Sequence, residues 1–290
     1  MTNPNPWPLD SLVDEHTGII RRVRTVLRPD RAPTSYTSMT AEVSDARRLG
    51  EWPADRVSLG TTFGDPQGAW IAAVAEACER YCGNHLPPNG DTLRRGTAGE
   101  IWAPASLVYL NWRLRRYRDL PRTHHLNYAG IATGQGFSDA CDRALFEIME
   151  RDALELWWHL GYPAHGIDPD TIPGLHEAMS GTDLEYHVVA MPHDYAPAFA
   201  ALVYDPQTGL YAAGFSAKPD PAEAARKSVL EAVHTWIYTL GTQHADGWVF
   251  QAVQAGLMAS GLYLPHRTDA RYLDDAGPHQ QHHRTQQRHP

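Results

Sequence analysis

Ala72-Ala73-Val74-Ala75-Glu76-Ala77-Cys78-Glu79-Arg80-Tyr81 and Ala144-Leu145-Phe146-Glu147-Ile148-Met149-Glu150-Arg151-Asp152 carry one signature twice: Glu-x-x-Glu-Arg on an otherwise apolar run. On a helix, residues three apart share a face. Each segment therefore turns two carboxylates one way and sets an arginine beside the second. Carboxylates among Ala, Val, Leu, Ile and Met are costly to bury unless something compensates their charge. Two such helices brought face to face would gather four carboxylates. A hard divalent cation is the natural compensator, and Mg²⁺ held by carboxylates usually also holds substrate phosphates.

Outward from these runs the chain alternates strands, turns and helices. Leu12 to Val26 reads as strand, turn at Thr17-Gly18, strand, and Ser35 to Val43 as a further strand. Gly60 to Pro66 reads as a turn-rich loop whose Asp65-Pro66 starts a helix over about 67–81, ended by Gly83-Asn84. Pro87 to Gly99 is polar and loop-like. In the second half Asn127 to Thr133 is a strand candidate, and Gly134 to Asp139 is again a Gly-rich loop. Ser138 is a good N-cap for a helix reaching about Leu160. Leu184 to Met191 is a strand, and Phe199–Tyr204 and Leu210–Ala217 form a hairpin. Pro221 starts a third long helix, with Glu223, Lys227, Glu231 and His234 along it, to about Leu240. Strand, Gly loop and acidic helix thus recur as an imperfect internal repeat with no fixed period.

Composition bounds the function. The chain has 290 residues, 42% hydrophobic and 20% charged, as expected of a globular fold. A net charge of −9 argues against a general nucleic-acid binder, since the basic runs Arg21–Arg24 and Arg113–Arg118 are short. Three cysteines, two of them four apart on one helix, make no disulfide framework, which points to reduced thiols and the cytoplasm. The start lacks the basic and apolar regions of a signal peptide, and no apolar run reaches the ~18 residues of a membrane span. From Ala276 the chain becomes a Gln/His/Arg run without apolar periodicity. A disordered tail over 276–290 is the expectation.

These motifs, in order over roughly residues 12–275, resemble the YcaO family of ATP-dependent peptide-backbone cyclodehydratases. Leu12 to Ile20 is similar to the family's start. Glu76, Glu79 and Arg80 match its first motif, Ser-x-x-x-Glu-x-x-Glu-Arg. Gly134-Gln135-Gly136 with Asp139, Glu147, Glu150 and Arg151 matches the second. Lys227 and Glu231 fall where the third has a basic residue and Glu-x-x-Gln. The resemblance implies an α/β YcaO-like fold with mixed sheets, long helices and a nucleotide cleft between the repeated halves. It implies ATP and Mg²⁺, with Glu76, Glu79, Glu147 and Glu150 holding the metal. Arg80, Arg151 and Lys227 would face phosphate, and Gln135, Asp139 and Glu231 would complete the nucleotide site. Ala72, Arg143 and His234 depart from the family's Ser, Gln and Gln.

The activity so implied is amide activation in a ribosomal precursor peptide. A Cys, Ser or Thr side chain attacks the preceding amide carbonyl, ATP phosphorylates the resulting oxyanion, and phosphate leaves to give a thiazoline or oxazoline. Related members form thioamides or amidines. No leader-binding segment is recognisable before residue 12, so an E1-like or leader-peptide-binding partner is expected, and a homodimer is compatible. The family's usual Pro-rich end is replaced by the Gln/His tail, which raises a second reading: a catalytically impaired scaffold that binds peptide or partner. A third, a carboxylate metalloenzyme unrelated to ATP, has one Glu231-x-x-His234 pair where a di-iron bundle needs two. Taken singly, Glu-x-x-Glu-Arg more often marks a solvated face, His234 a packed histidine, and Cys78, Cys82 and Trp157-Trp158 core material.

Overall fold

The computed structural model describes residues 9–45, 57–83, 93–96, 99–102 and 129–242; of 93–102 only the backbone is considered. The expected tail and the Arg113–Arg118 run lie outside these residues.

The first half is a three-stranded antiparallel sheet, β1 (Ile20–Val26), β2 (Tyr36–Val43) and β3 (Val57–Phe63), followed by α1 (Pro66–Cys82). Strand period puts Met39, Ala41 and Val43 of β2 on one face, where they pack with Ala73, Val74 and Ala77 of α1. Asp65 caps α1 by accepting from Gly68 N–H at 2.9 Å, and Pro66 stands at the helix start. The strand expected before Thr17 is instead a 3-10 turn, Leu9–Leu12, and one bridge, Val13 to Ile20. Gly60 to Phe63, expected as loop, belongs to β3. A Cβ on Gly60 would sit 2.0 Å from the Ala69 carbonyl oxygen and 2.3 Å from Ala73 N. This glycine therefore marks a strand lying directly on a helix backbone.

Leu93–Gly96 and Gly99–Trp102 form a hairpin, β4–β5, within a stretch expected to be loop up to Gly99. Residues 129–133 are irregular rather than a strand. Helix α2 (Phe137–Leu154) is preceded by Gly136 at the cap position, not Ser138, and continues as one π-turn over Glu155–His159. The backbone carbonyl of Gly136 takes the Ala140 N–H, so the helix starts without a side-chain cap.

The second half is a four-stranded antiparallel sheet, β6 (His165–Ile167), β7 (Glu185–Met191), β8 (Ala198–Asp205) and β9 (Leu210–Ala217). A short α3 (Leu175–Ala178) precedes β7, and α4 (Pro221–Thr242) follows β9. β8 is apolar at nearly every position because both its faces are covered. Phe199, Ala201 and Val203 face the core around Val229, Val233 and Trp236 of α4, while Ala198 and Ala200 face Ala153 and Phe146 of α2. The sheet is thus a middle layer between α2 and α4. Gly214 does in β9 what Gly60 does in β3, a Cβ there falling 2.2 Å from Ser228 O and Ala232 N of α4.

The halves meet through Tyr36, which leaves the first sheet to join the core of the second. Arg31 also crosses, forming a two-pronged ion pair with Asp205, a fully buried carboxylate. Asp205 also accepts from Trp236 Nε1 at 3.2 Å and Thr208 Oγ1 at 2.6 Å. Burial alone would raise its pKa, but these bonds, led by Arg31, hold it well below the usual carboxylate range. All described sheets are antiparallel rather than mixed. Cys78 is half-buried, whereas Cys82 and Cys141 are exposed, against the expected core burial of Cys82. Trp157 packs on the α2 side of the sheet, and Trp158 is exposed. No described helix is long and apolar enough to cross a membrane.

Candidate active site

The two acidic helices are fixed by the same local device. Glu76 of α1 accepts from the backbone N–H of Leu59, 17 residues upstream, at 2.7 Å, and Glu147 of α2 accepts from the N–H of Gly130, also 17 upstream, at 3.1 Å. Each is paired with the arginine one turn on: Arg80 to Glu76 at 2.9 Å, Arg151 to Glu147 at 3.8 Å. The internal repeat is therefore expressed in the carboxylates' hydrogen bonds as well as in sequence. The irregular segment 129–133 ties the helices together, because it reaches both. Gly130 serves Glu147, while Thr133 serves Glu79 through its N–H at 2.9 Å and its hydroxyl at 3.2 Å.

The result is a cleft of about 790 Å³ walled by α1, α2, α4, β3 and residues 131–133. Glu76, Glu79, Glu147, Glu150 and Glu231 line it, with Asp139 at the α2 end. Arg80, Lys218 and Lys227 supply the facing cations. Lys227 pairs with Glu231 at 3.2 Å, one turn apart on α4. Asp139 accepts from the Gln135 N–H at 2.9 Å and from Arg143 at 3.1 Å, and these bonds, the first foremost, hold it below its ordinary range. Two expected residues stand off the wall. Gln135 is exposed and contributes its backbone, and Arg151 lies between Glu147 and Glu150 outside the lining. Of the three departures, Arg143 is spent on Asp139, Ala72 is outside the cleft, and His234 lines it.

The electrostatics are those of a site with more carboxylates than cations. Burial raises the Glu79 and Glu147 carboxyls, against the pull of their hydrogen bonds. Glu150 is pushed up to about 8, first by burial, then by Glu231 and Glu147, with Arg151 only partly opposing. A carboxyl that keeps its proton at neutral pH marks where a cation would be welcome. The carboxylates do not converge: among the described residues no three His, Cys, Asp or Glu side chains could hold a metal ion alone. That suits Mg²⁺, which takes one or two carboxylates and completes its shell with water and phosphate oxygens. The donor set thus fits a metal–nucleotide better than a bare metal.

Sequence reading missed the backbone donors at Leu59 and Gly130, and Thr133 and Lys218. Only Lys218 left a signal, as a lone cation between a strand and the proline that starts a helix.

The cleft lies between two sheet-and-helix halves of an α/β fold. The family model described as YcaO cyclodehydratase, ATP- and Mg²⁺-binding, matches residues 93–288, and the chain belongs to that family. The first acidic motif lies upstream of the matched span. Solved structures share the fold. A heterocyclase in complex with substrate and cofactor aligns with TM-score 0.59 and 17% identity over 78% of this chain and 38% of its own. YcaO from Methanopyrus kandleri, bound with AMPPCP and Mg²⁺, aligns with TM-score 0.53 and 14% identity over 82% and 63%. The E. coli microcin synthetase McbBCD complex aligns with TM-score 0.56 and 15% identity over 81% and 66%, and another structure of it has pro-MccB17 bound. The chain therefore spans from about two fifths to two thirds of these chains' lengths. No curated protein sequence matches it.

Proposed function

We propose that this chain is the ATP-dependent, amide-activating part of a system that modifies a ribosomally made precursor peptide, with cyclodehydration of Cys, Ser or Thr to an azoline as its reaction. The observation that carries this is the acidic cleft, with the Glu150 carboxyl at about 8 and Lys218, Lys227 and Arg80 on its walls. When bound, the nucleotide supplies the phosphoryl group that turns the amide oxygen into a leaving group. The protein's own work is positioning and charge neutralisation. One or two of Glu76, Glu79, Glu147 and Glu150 would hold Mg²⁺, with water and phosphate oxygens completing its shell. Lys227, Lys218 and Arg80 would face phosphate charge, and Glu231 and Asp139 would orient those cations. Gln135 and Arg151 would act indirectly, through Asp139 and through Glu147 and Glu150.

Formation of the azoline expels one water from the peptide and consumes one ATP to ADP and phosphate. A leader-binding or E1-like partner would deliver the substrate; a similar chain belongs to the McbBCD complex, also solved with pro-MccB17 bound. Calorimetry with Mg²⁺ and ATP tests the site. Binding is expected, and Glu147→Gln should weaken it at least tenfold; unchanged affinity would sink the assignment. Mass spectrometry of a precursor incubated with ATP and partner should show loss of one water. Nucleotide binding without any peptide change, partner present, would instead leave a scaffold.

A further inference from the structure

His234 stands on α4 in the wall of the acidic cleft, one turn beyond Glu231. Its Nδ1 lies 3.0 Å from the hydroxyl of Tyr36, which reaches it from β2 of the other half. Tyr36 is nearly inaccessible, with 5% of its surface exposed. Burial pushes its phenol up to about 12, against a smaller opposing effect of a hydrogen bond to Ser38. The phenol therefore keeps its proton at any ordinary pH and has it to donate. His234 is held neutral by the same cause: burial lowers its pKa, only partly opposed by Glu231 and Glu76. A neutral imidazole that accepts at Nδ1 must carry its hydrogen on Nε2. That Nε2 has no hydrogen-bond partner among the described residues, nor is it a sealed, unsatisfied atom of the interior. The ring itself lines the cleft.

We propose that Tyr36 fixes His234 as the Nε2–H tautomer, making it a neutral hydrogen-bond donor to a phosphate oxygen of the bound nucleotide. This rests on the nucleotide reading of the cleft. Nε2–H has no lone pair for a cation, so His234 serves the anionic partner while the carboxylates serve the metal. It offers one N–H, as a glutamine amide would, but Tyr36 sets its direction from across the molecule. The donor is thus in place only when the two halves are docked.

Imidazole nitrogen shifts in ¹⁵N-histidine protein, assigned by loss of the signal in His234→Gln, read the tautomer. Nε2–H is expected in the wild type and a mixture in Tyr36→Phe; an Nδ1–H tautomer in the wild type overturns the proposal. Titration with Mg²⁺-AMPPCP reads the target. A hydrogen bond to a charged oxygen corresponds to about tenfold or more in affinity. His234→Leu should lose that much, and His234→Gln should stay within about threefold of wild type. Wild-type affinity in His234→Leu overturns the proposal. If the wild type itself does not bind Mg²⁺-AMPPCP, the nucleotide reading falls and the phosphate target with it, whereas a wrong tautomer sinks the proposal alone.

Discussion

Glu150, largely buried, and Asp205, fully buried, are carboxylates with opposite fates. Asp205 has Arg31, Thr208 and Trp236, and its pKa is depressed. The stability it contributes is present above the ordinary carboxylate pKa of about 3.9 and is lost as pH falls through the folded value. Removing one partner of such a buried pair costs about 3–5 kcal/mol. Arg31→Met should therefore move the urea midpoint down sharply, while Asp183→Asn, on an exposed rim of the same network, should shift it little. Glu150 has only a long ion pair with Arg151, at 3.7 Å, among the described residues, and burial raises its pKa to about 8. A raised acid contributes stability below its unfolded pKa, about 4.3, and loses it as pH climbs through the folded value. The metal-free protein should lose stability between about pH 4.5 and 8. Glu150→Gln should flatten that slope in urea melts taken across the range. An unchanged slope would mean that Glu150 is solvated.

The glycines of β3 and β9 belong to the scale of elements. Both carry a strand onto a helix, with the missing Cβ within 2.0–2.3 Å of helix backbone atoms. Backbone cannot step aside as a side chain can, so Gly60→Ala and Gly214→Ala should each cost at least the ~1–3 kcal/mol of an overpacked core, read as a lower melting temperature. Gly209, with φ +71° and nothing near its Cβ position, tolerates Asn far better than valine. The long helices and the β8–β9 hairpin were legible in sequence because each has a full period of apolar residues and a clear stop. Gly60 misled because a glycine beside threonines looks like a turn, whereas here it is a contact. Residues 129–133 misled for the opposite reason. Their backbone donors go to Glu79 and Glu147 rather than to a neighbouring strand, and that pairing is not written in local periodicity. The acidic motifs and the third-helix Lys227 and Glu231 announced themselves by spacing. Thr133 and Tyr36 did not, since their roles arise from contacts 54 and 198 residues away.

For the molecule as a whole, the cleft's net acidity means that metal–nucleotide binding should displace the proton of Glu150. Binding heats measured at pH 7 in buffers of different ionisation enthalpy should differ accordingly, and buffer-independent heats would contradict a protonated Glu150. The three helical walls are not equally anchored. α4 buries Ala224, Ser228, Val229, Val233 and Trp236, whereas α2, with half the cleft's carboxylates, has Ala153 as its one fully buried residue. Regions with few buried apolar contacts open at a small fraction of the global unfolding free energy. Amide protons of α2 should therefore exchange with deuterium well before those of α4 in the free protein, and should slow on adding Mg²⁺ and nucleotide if Glu147 and Glu150 hold them. The helix that carries the second acidic motif would then acquire much of its protection from the ligand, so that isotope uptake along α2 becomes a gauge of how full the cleft is.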